Sequence, residues 1–505
     1  MFIVPLVIYL SFLTKNYYWD GIAFAQAIEG ASEIHVSLVH PNHLIYNLVG
    51  YVLYRAAHAL GFNPRSVTVL QILNAFLGAA TCALLFHILK NTLRSAYIAF
   101  ALSLLFAFSA TWWKYTVDAN AYIPGVLLLL LSFYLVLPGR KANTILVALV
   151  YALALCIHQM AIIFFPFLLV ALWIQDEHPR RRRLINCVIL TVVAGGLTLG
   201  AYIYSFHSLT DDFHLRDFLR WTLSYAPDDS FGFRPLINLG FTLRGHGRLF
   251  FGGRLNALSG LINPVIVVLI IIWIGLFLVL AFQVIRNFKR PGWKWIQHLQ
   301  KEQRRRKVAL LCLVWIGVYV VGLYFFVAHH TYYRLFYLPA LIILLGLILD
   351  SHDSLANGPR HYRLALFVGF LALGNFLTVT FPNTHVEKYP PLKLALEMNQ
   401  TWPRGTLIYF GTPNSDNNLT KYFNQGTEWK QLKPDKLDRI EIDLREANAR
   451  GAAVWLETSA IDQLSSTPVG AEWLKQHARE GTQHSLVTKA HNIRFVQIAP
   501  AETHE

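Results

Sequence analysis

The sequence predicts an α-helical polytopic membrane protein with a small C-terminal α/β domain, and three observations predict it. Of its 505 residues, 55% are hydrophobic and only 14% charged, where a soluble chain carries about a quarter charged residues. Apolar runs recur from residue 2 to residue 381. From Pro382 the composition turns mixed and polar, with 14 Lys and Arg against 15 Asp and Glu, so the net charge of +15 comes from residues 1–381. A basic excess confined to loops between apolar segments reports membrane topology, and no nucleic-acid partner is expected. An ordinary soluble enzyme and a disordered chain are both excluded. Cys82, Cys156, Cys187 and Cys312 all lie in apolar runs, which argues against a disulfide framework or a thiolate zinc site.

Taken in order, the segments expected to cross are 2–14, 67–89, 95–113, 119–138, 143–157, 160–175, 184–206, 258–285, 308–327, 335–349 and 364–381, about eleven transmembrane helices. The first is short and has no basic leader or small-residue cleavage site, so it is expected to stay as an anchor. Residues 44–61 are apolar too, but Arg55 sits near their middle, and a central Arg costs roughly 2.5–3.5 kcal/mol on insertion scales. Asn47, Tyr51, Tyr54, Arg55 and His58 recur on one helical face, so this segment is expected to lie in the interface. With that choice one side collects 19 basic residues against 5 acidic, among them Lys141, Arg180 to Arg183, the nine between Arg286 and Lys307, and Arg360. The positive-inside rule makes that side cytoplasmic. Segments 143–157 and 160–175 are expected as two short helices meeting at His158-Gln159, in a cavity below the outer surface.

The C-terminal residues 382–505 are expected to form one extracytoplasmic α/β domain. Strand-like runs lie at 407–411, 452–458 and 493–499, and helical stretches near 391–400 and 470–480.

This topology gathers the unusual polar residues on the outer side. They are Asp20 in YYWDGIAFAQAIEG, His40-Pro41-Asn42-His43, Asp118 in WWKYTVDANAY, His158-Gln159, the loop 207–257 and His329-His330-Thr331-Tyr332-Tyr333-Arg334. A transporter would instead bury ionisable residues mid-helix or repeat broken helices in two halves. The order of an Asp early in the first outer loop, a His-Pro opening an interfacial helix, an aromatic exit in WWKYTVDANAY and a His at the next outer turn resembles the GT-C glycosyltransferases that use polyprenyl-phosphate sugars. It is most similar to the branch of protein O-mannosyltransferases and the aminoarabinose transferase of lipid A. The likeness covers about residues 1–175 at motif level. Asp20 is followed by Gly-Ile-Ala with no carboxylate at the third position, and His40-Pro41 by Asn42-His43 rather than Pro-Gly. Glu29, Glu33 or Asp118 would then supply a second acid, and whether a divalent cation takes part stays open.

The resemblance implies an inverting transfer of one sugar from a polyprenyl-phosphate donor to an acceptor hydroxyl on a glycan, lipid or protein, in a bacterial inner membrane. Such a leaving group departs as a stable anion, so the reaction needs a base for the acceptor proton and cations for the phosphate. Asp20 is the base candidate, with a helix cap as the structural alternative. Arg334, beside Tyr333, is the first candidate for the phosphate, with an interfacial snorkelling Arg as the alternative. Lys114 is a further cation. Asp118, His158, His40 and Glu29 complete the candidate pocket. The histidines as a set lack metal-ligand spacing. The rival functions are a lipid-linked glycan polymerase or ligase and a lipid or glycan transporter.

Overall fold

The computed structural model describes residues 1–140, 142–174, 179–210, 212–224, 234–286, 302–350, 362–411, 415–433, 437–487 and 492–499. Lys141, Arg360 and four of the nine basic residues between Arg286 and Lys307 (Lys289, Arg290, Lys294 and Lys301) lie outside the described residues. The chain forms two compact units, one of Met1–Thr14 with Phe24–Thr384, the other of Lys15–Ala23 with His385–Glu505.

The first unit is helical. Among the described residues, six of its helices are long and apolar enough to cross a membrane: Ser66–Thr92, Arg180–His207, Pro264–Gln283, Gln303–Phe325, Tyr332–Asp350 and Tyr362–Asn383. The bent pair Ala96–Ala107 and Ala110–Thr116 makes a seventh if it is one span. The expected number of about eleven is therefore corrected to six or seven. Apolar composition does not reveal where a helix stops. The run 2–14 yields only Ile3–Ser11, and 119–138, 143–157 and 160–175 fold as the shorter helices Tyr122–Leu135, Thr144–Ile157 and Gln159–Trp173. Fourteen residues rise about 21 Å, short of a hydrocarbon layer of roughly 30 Å. The charge tally built on eleven crossings loses its footing with them. The amphipathic helix Tyr46–Ala59 is not among the spans; it buries Tyr46, Asn47, Gly50 and Tyr51 and exposes Val49, Val52 and Leu53.

Broken helices leave backbone carbonyls without a partner, and inside a membrane protein those must be satisfied internally. Three carboxamides do this here. Gln71 Nε2 donates to Thr14 O (2.9 Å) and Val117 O (3.1 Å). Asn74 Nδ2 donates to Asp118 O (2.7 Å) and Asn120 O (2.8 Å). Asn375 Nδ2 donates to Phe108 O (2.9 Å), where the bent pair turns by 62°, and to Phe250 O (2.7 Å). The unit's aromatic core stacks Phe133, Phe164 and Phe167 around Trp315, whose indole donates to Phe336 O at 3.0 Å. Asp350 ties the end of its helix to the backbone N–H groups of Arg94 and Ser95, both 2.9 Å, and to the Arg305 guanidinium.

The second unit contains a five-stranded sheet, with β1 Leu407–Phe410, β2 Glu428–Gln431, β3 Val454–Glu457, β4 Ala478–Val487 and β5 Asn492–Ile498 in the order β2-β1-β3-β5-β4. The first three strands run parallel through helical crossovers, and β5 is antiparallel to β3 and β4. The three expected strands are present. Strands β2 and β4 were not expected, and β4 begins at Ala478, inside the stretch read as helical to 480. One face packs Leu407, Tyr409, Val454 and Leu456 under Ile440, Leu444, Leu464 and Trp473. The other packs Ile408, Trp429 and Trp455 under Leu394 and Met398 of the helix Pro390–Thr401.

Candidate functional site

In the first unit three separate stretches converge: the His40–His43 turn, the break at His158, and the 328–337 segment. The His-Pro turn is held from two sides. Tyr202 Oη donates to Pro41 O at 2.6 Å, and Asn42 O accepts from Gln159 N at 3.2 Å. The second bond ties the turn to the break between Thr144–Ile157 and the 3-10 turn Gln159–Phe164, where His158 is extended (φ −157°, ψ 123°).

His158 is fully buried, and its Nδ1 accepts from Met160 N at 3.1 Å. That bond assigns the proton to Nε2. Among the described residues this buried Nε2 has no hydrogen-bond partner. Around it stand His43 (edge-on, 4.5 Å between ring centroids), Tyr122 (5.0 Å), Phe336 (5.1 Å) and Tyr333 (6.1 Å). The array continues through Tyr332, 5.1 Å from Tyr122, to His330 at 4.8 Å and Tyr115 at 5.8 Å. His40 stacks on His43 at 5.8 Å.

His40 and His43 of the turn and His330 of the 328–337 segment are held neutral. Burial, with His40 beside it, pushes the His43 imidazole down to about 3, against the bond to Ile157 O that favours its charged form. Burial lowers His40 as well. Burial, His329 and Arg334 bring His330 to about 4. Among the described residues no three His, Cys, Asp or Glu side chains are grouped as a metal-ion site.

The cations and acids occupy distinct places. Lys114 lies over the Tyr115 ring, 5.5 Å from its centroid, and interacts electrostatically with Asp118 four residues on. Asp118 is buried; its Oδ1 accepts from Ala119 N at 2.8 Å. The cap of Tyr122–Leu135 comes instead from Asn120 Oδ1, which accepts from Tyr122 N (3.1 Å) and Ile123 N (3.4 Å). Arg334 is buried in a cage of carbonyls, donating to His330 O (2.7 Å), Ala328 O (2.8 Å) and Phe241 O (3.4 Å). A Cβ at Gly245 would collide with its guanidinium. Glu29 is committed elsewhere in the unit. Its Oε1 accepts from Ser66 N (2.8 Å) and Ser66 Oγ (3.0 Å), and its carboxylate pairs with Arg65 at 3.0 Å, holding the start of Ser66–Thr92. Asp20 is buried in the first turn of Trp19–Gly30 and belongs to the second unit, as does Tyr17, whose ring stacks on Phe423 at 5.4 Å.

Within the first unit the structure thus brings His40, His158, Tyr333, Lys114 and Asp118 onto or beside one histidine–tyrosine array, flanks it with Arg334, and commits Glu29 to a helix start, while Asp20 falls in the second unit. Sequence reasoning passed over Tyr122, Tyr332 and the role of His43. The signal for Tyr122 was available in the motif WWKYTVDANAY, which ends on it. Asn74 and Gln71, spaced three apart in an otherwise apolar span, were the signal for the capped breaks.

No protein-family profile and no curated relative matches the sequence. The Archaeoglobus fulgidus oligosaccharyltransferase is a looser structural likeness, with TM-score 0.44 and 10% identity over 99% of this chain and 73% of that one, too loose to define a shared fold. ArnT from Cupriavidus metallidurans, solved in the apo state and bound to undecaprenyl phosphate, matches over 98% of this chain and 96% of its own, with TM-score 0.59 and 11% identity in both forms. From its spanning helices to its C-terminal sheet, the chain has the fold of that protein.

Proposed function

We propose that the protein is an integral-membrane glycosyltransferase of GT-C type, moving one sugar from a polyprenyl-phosphate donor to an acceptor hydroxyl with inversion. The observation that carries this reading is the near full-length likeness of fold to a protein solved with undecaprenyl phosphate. In this reading residues 1–381 are the catalytic membrane domain and 382–505 an extracytoplasmic domain. The site faces the extracytoplasmic side of a bacterial inner membrane. The acceptor is a glycan, lipid or protein.

The roles follow from the chemistry of the groups. Asp20 takes the proton of the acceptor hydroxyl as the glycosidic carbon changes partner, and the lipid phosphate leaves as an anion. Its assignment comes from its place in the first loop, flanked by Tyr17, Tyr18 and Trp19. Lys114 supplies positive charge for the phosphate. The neutral array of His43, His158, Tyr122, Tyr332 and Tyr333 suits an uncharged, hydroxyl-rich sugar: ring faces to stack on, and in His158 Nε2 a buried donor that requires an acceptor. Arg334 positions the 328–337 segment rather than the phosphate, since its Nη1 and Nη2 groups already hold carbonyls.

The test uses purified protein in lipid nanodiscs with a panel of radiolabelled polyprenyl-phosphate sugars, following release or transfer of label. One donor should turn over, and Asp20→Asn should lower kcat by at least about a hundredfold, the usual scale of a general base. Undiminished turnover in that variant removes Asp20 as base and favours a polymerase or ligase working from later loops. A labelled lipid that crosses a vesicle membrane unchanged would instead identify a transporter.

A further inference from the structure

The second unit carries a cavity of about 330 Å³ that the transfer reaction does not use. It lies on the sheet face covered by the helix Leu437–Ala449, where the parallel strands β1 and β2 reach their carboxyl ends. Tyr409 of β1 and Lys430 of β2 are register partners on that face, and Asp443 of the helix reaches both. Lys430 Nζ lies 3.0 Å from Asp443 Oδ2, and Tyr409 Oη donates to the same oxygen. Gln431, Lys433, Arg439 and Ile440 complete the wall.

The charge of this wall is out of keeping with its surroundings. Residues 382–505 are close to neutral, yet among the described residues the cavity is lined by Lys430, Lys433 and Arg439 against the carboxylate of Asp443, with Glu428 pairing Lys430 at 3.4 Å from outside the lining. That carboxylate is only 12% exposed and already engaged by Lys430 and Tyr409. Arg439 and Lys433 are exposed and form no ion pair among the described residues. Arg439 also stands in the first turns of a 13-residue helix, whose N-terminus adds partial positive charge.

We propose that this cavity is a binding site for a phosphorylated saccharide. Arg439 and Lys433 take the phosphate at the mouth, in the geometry guanidinium groups favour for phosphate oxygens. One phosphate fills only part of the volume, and the remaining lining mixes polar groups with the apolar surfaces of Tyr409 and Ile440. Gln431 and Asp443 offer acceptors for sugar hydroxyls. The site stands whether or not the membrane unit transfers sugar. Its ligand is either a soluble sugar phosphate or the phosphosugar headgroup of a membrane lipid, which share the same chemistry.

The test is isothermal titration of the full-length protein in phosphatidylcholine nanodiscs with a hexose 6-phosphate, the parent hexose and inorganic phosphate. The hexose phosphate should bind, the hexose should give no heat, and inorganic phosphate should bind more weakly than the ester. Arg439→Glu and Lys433→Glu, both at exposed positions, should each weaken binding by about tenfold, the equivalent of roughly 1.4 kcal/mol, with unchanged thermal stability. Doping the nanodiscs with phosphatidylinositol 4-phosphate separates the sources: loss of the heat assigns a lipid headgroup, and an unchanged heat assigns a soluble ester. Binding that survives both charge reversals, or equal binding of the parent hexose, overturns the site. Failure of Asp20→Asn to affect transfer would leave all of these outcomes as they are.

Discussion

His43, which is buried, and His330, which is half-buried, show how a single side chain makes the protein sensitive to acid. In an unfolded chain each imidazole takes up a proton near pH 6.5. In the folded protein His43 does so only near about 3 and His330 near about 4. Below pH 6.5 the unfolded chain therefore binds more protons, so stability rises with pH and is lost as pH falls from about 6.5 toward those lower values. Thermal unfolding in detergent should show Tm dropping between pH 7 and pH 4.5, with a shallower drop in His43→Gln. Equal slopes in the two proteins would mean that His43 charges without penalty. Residue type alone did not separate such roles. Glu29 and Arg334 carry the charges that transfer chemistry needs, but one holds the start of a helix and the other a set of carbonyls. A sequence shows the charge and conceals the partner.

At the level of elements, the recurrent device is a side chain with two or more N–H groups placed where a helix breaks. Asn375 bonds Phe108 O and Phe250 O, and Arg334 bonds three carbonyls around the 328–337 segment. Losing either donor leaves buried carbonyls unsatisfied, each worth about 1–3 kcal/mol. Asn375→Leu should therefore destabilise the protein by about 2–6 kcal/mol in reversible denaturation in mixed micelles. Arg334→Lys, which keeps the charge but not the planar fork, should lower Tm while leaving the donor KM within about twofold. A large rise in KM at unchanged Tm would return Arg334 to the phosphate. Periodicity and apolar runs located nearly all of these helices. They placed the break at His158 but not the bend at Phe108, which is fixed by the distant amide of Asn375 rather than by the local residues, and the surplus in the expected crossings came from apolar runs whose helices stop short of a span.

At the scale of the whole molecule, the helix Arg180–His207 is the most direct test of orientation. Its 28 residues rise about 42 Å, enough to span with some tilt, and Arg180 to Arg183 at its start belong inside. In a Cys187→Ser background, a cysteine at Ser208 should react with an impermeant maleimide added to intact cells, and one at Pro179 should react only after lysis. The reverse pattern would invert the orientation on which the extracytoplasmic site depends. The sequence alone carried the helical membrane part, the polar C-terminal sheet unit and, of the array, His40, His158 and Tyr333. Convergence of the His40 turn, the His158 break and the 328–337 segment was beyond it, since those stretches lie more than a hundred residues apart and meet only through packing.

The bond from Asn375 to Phe108 O joins positions 267 residues apart, and this has a bearing on how the protein is made. The ribosome delivers Phe108 long before Asn375, at about 5–20 residues per second. For that interval, some tens of seconds at the slower rates, the bend between Ala96–Ala107 and Ala110–Thr116 has an exposed carbonyl in a growing chain. It must be covered by water, by the insertion machinery or by a temporary partner. The last spanning helix is thus the part that completes the first half of the protein, and a chain whose synthesis stops short of it inserts with its central bend still open to quality control.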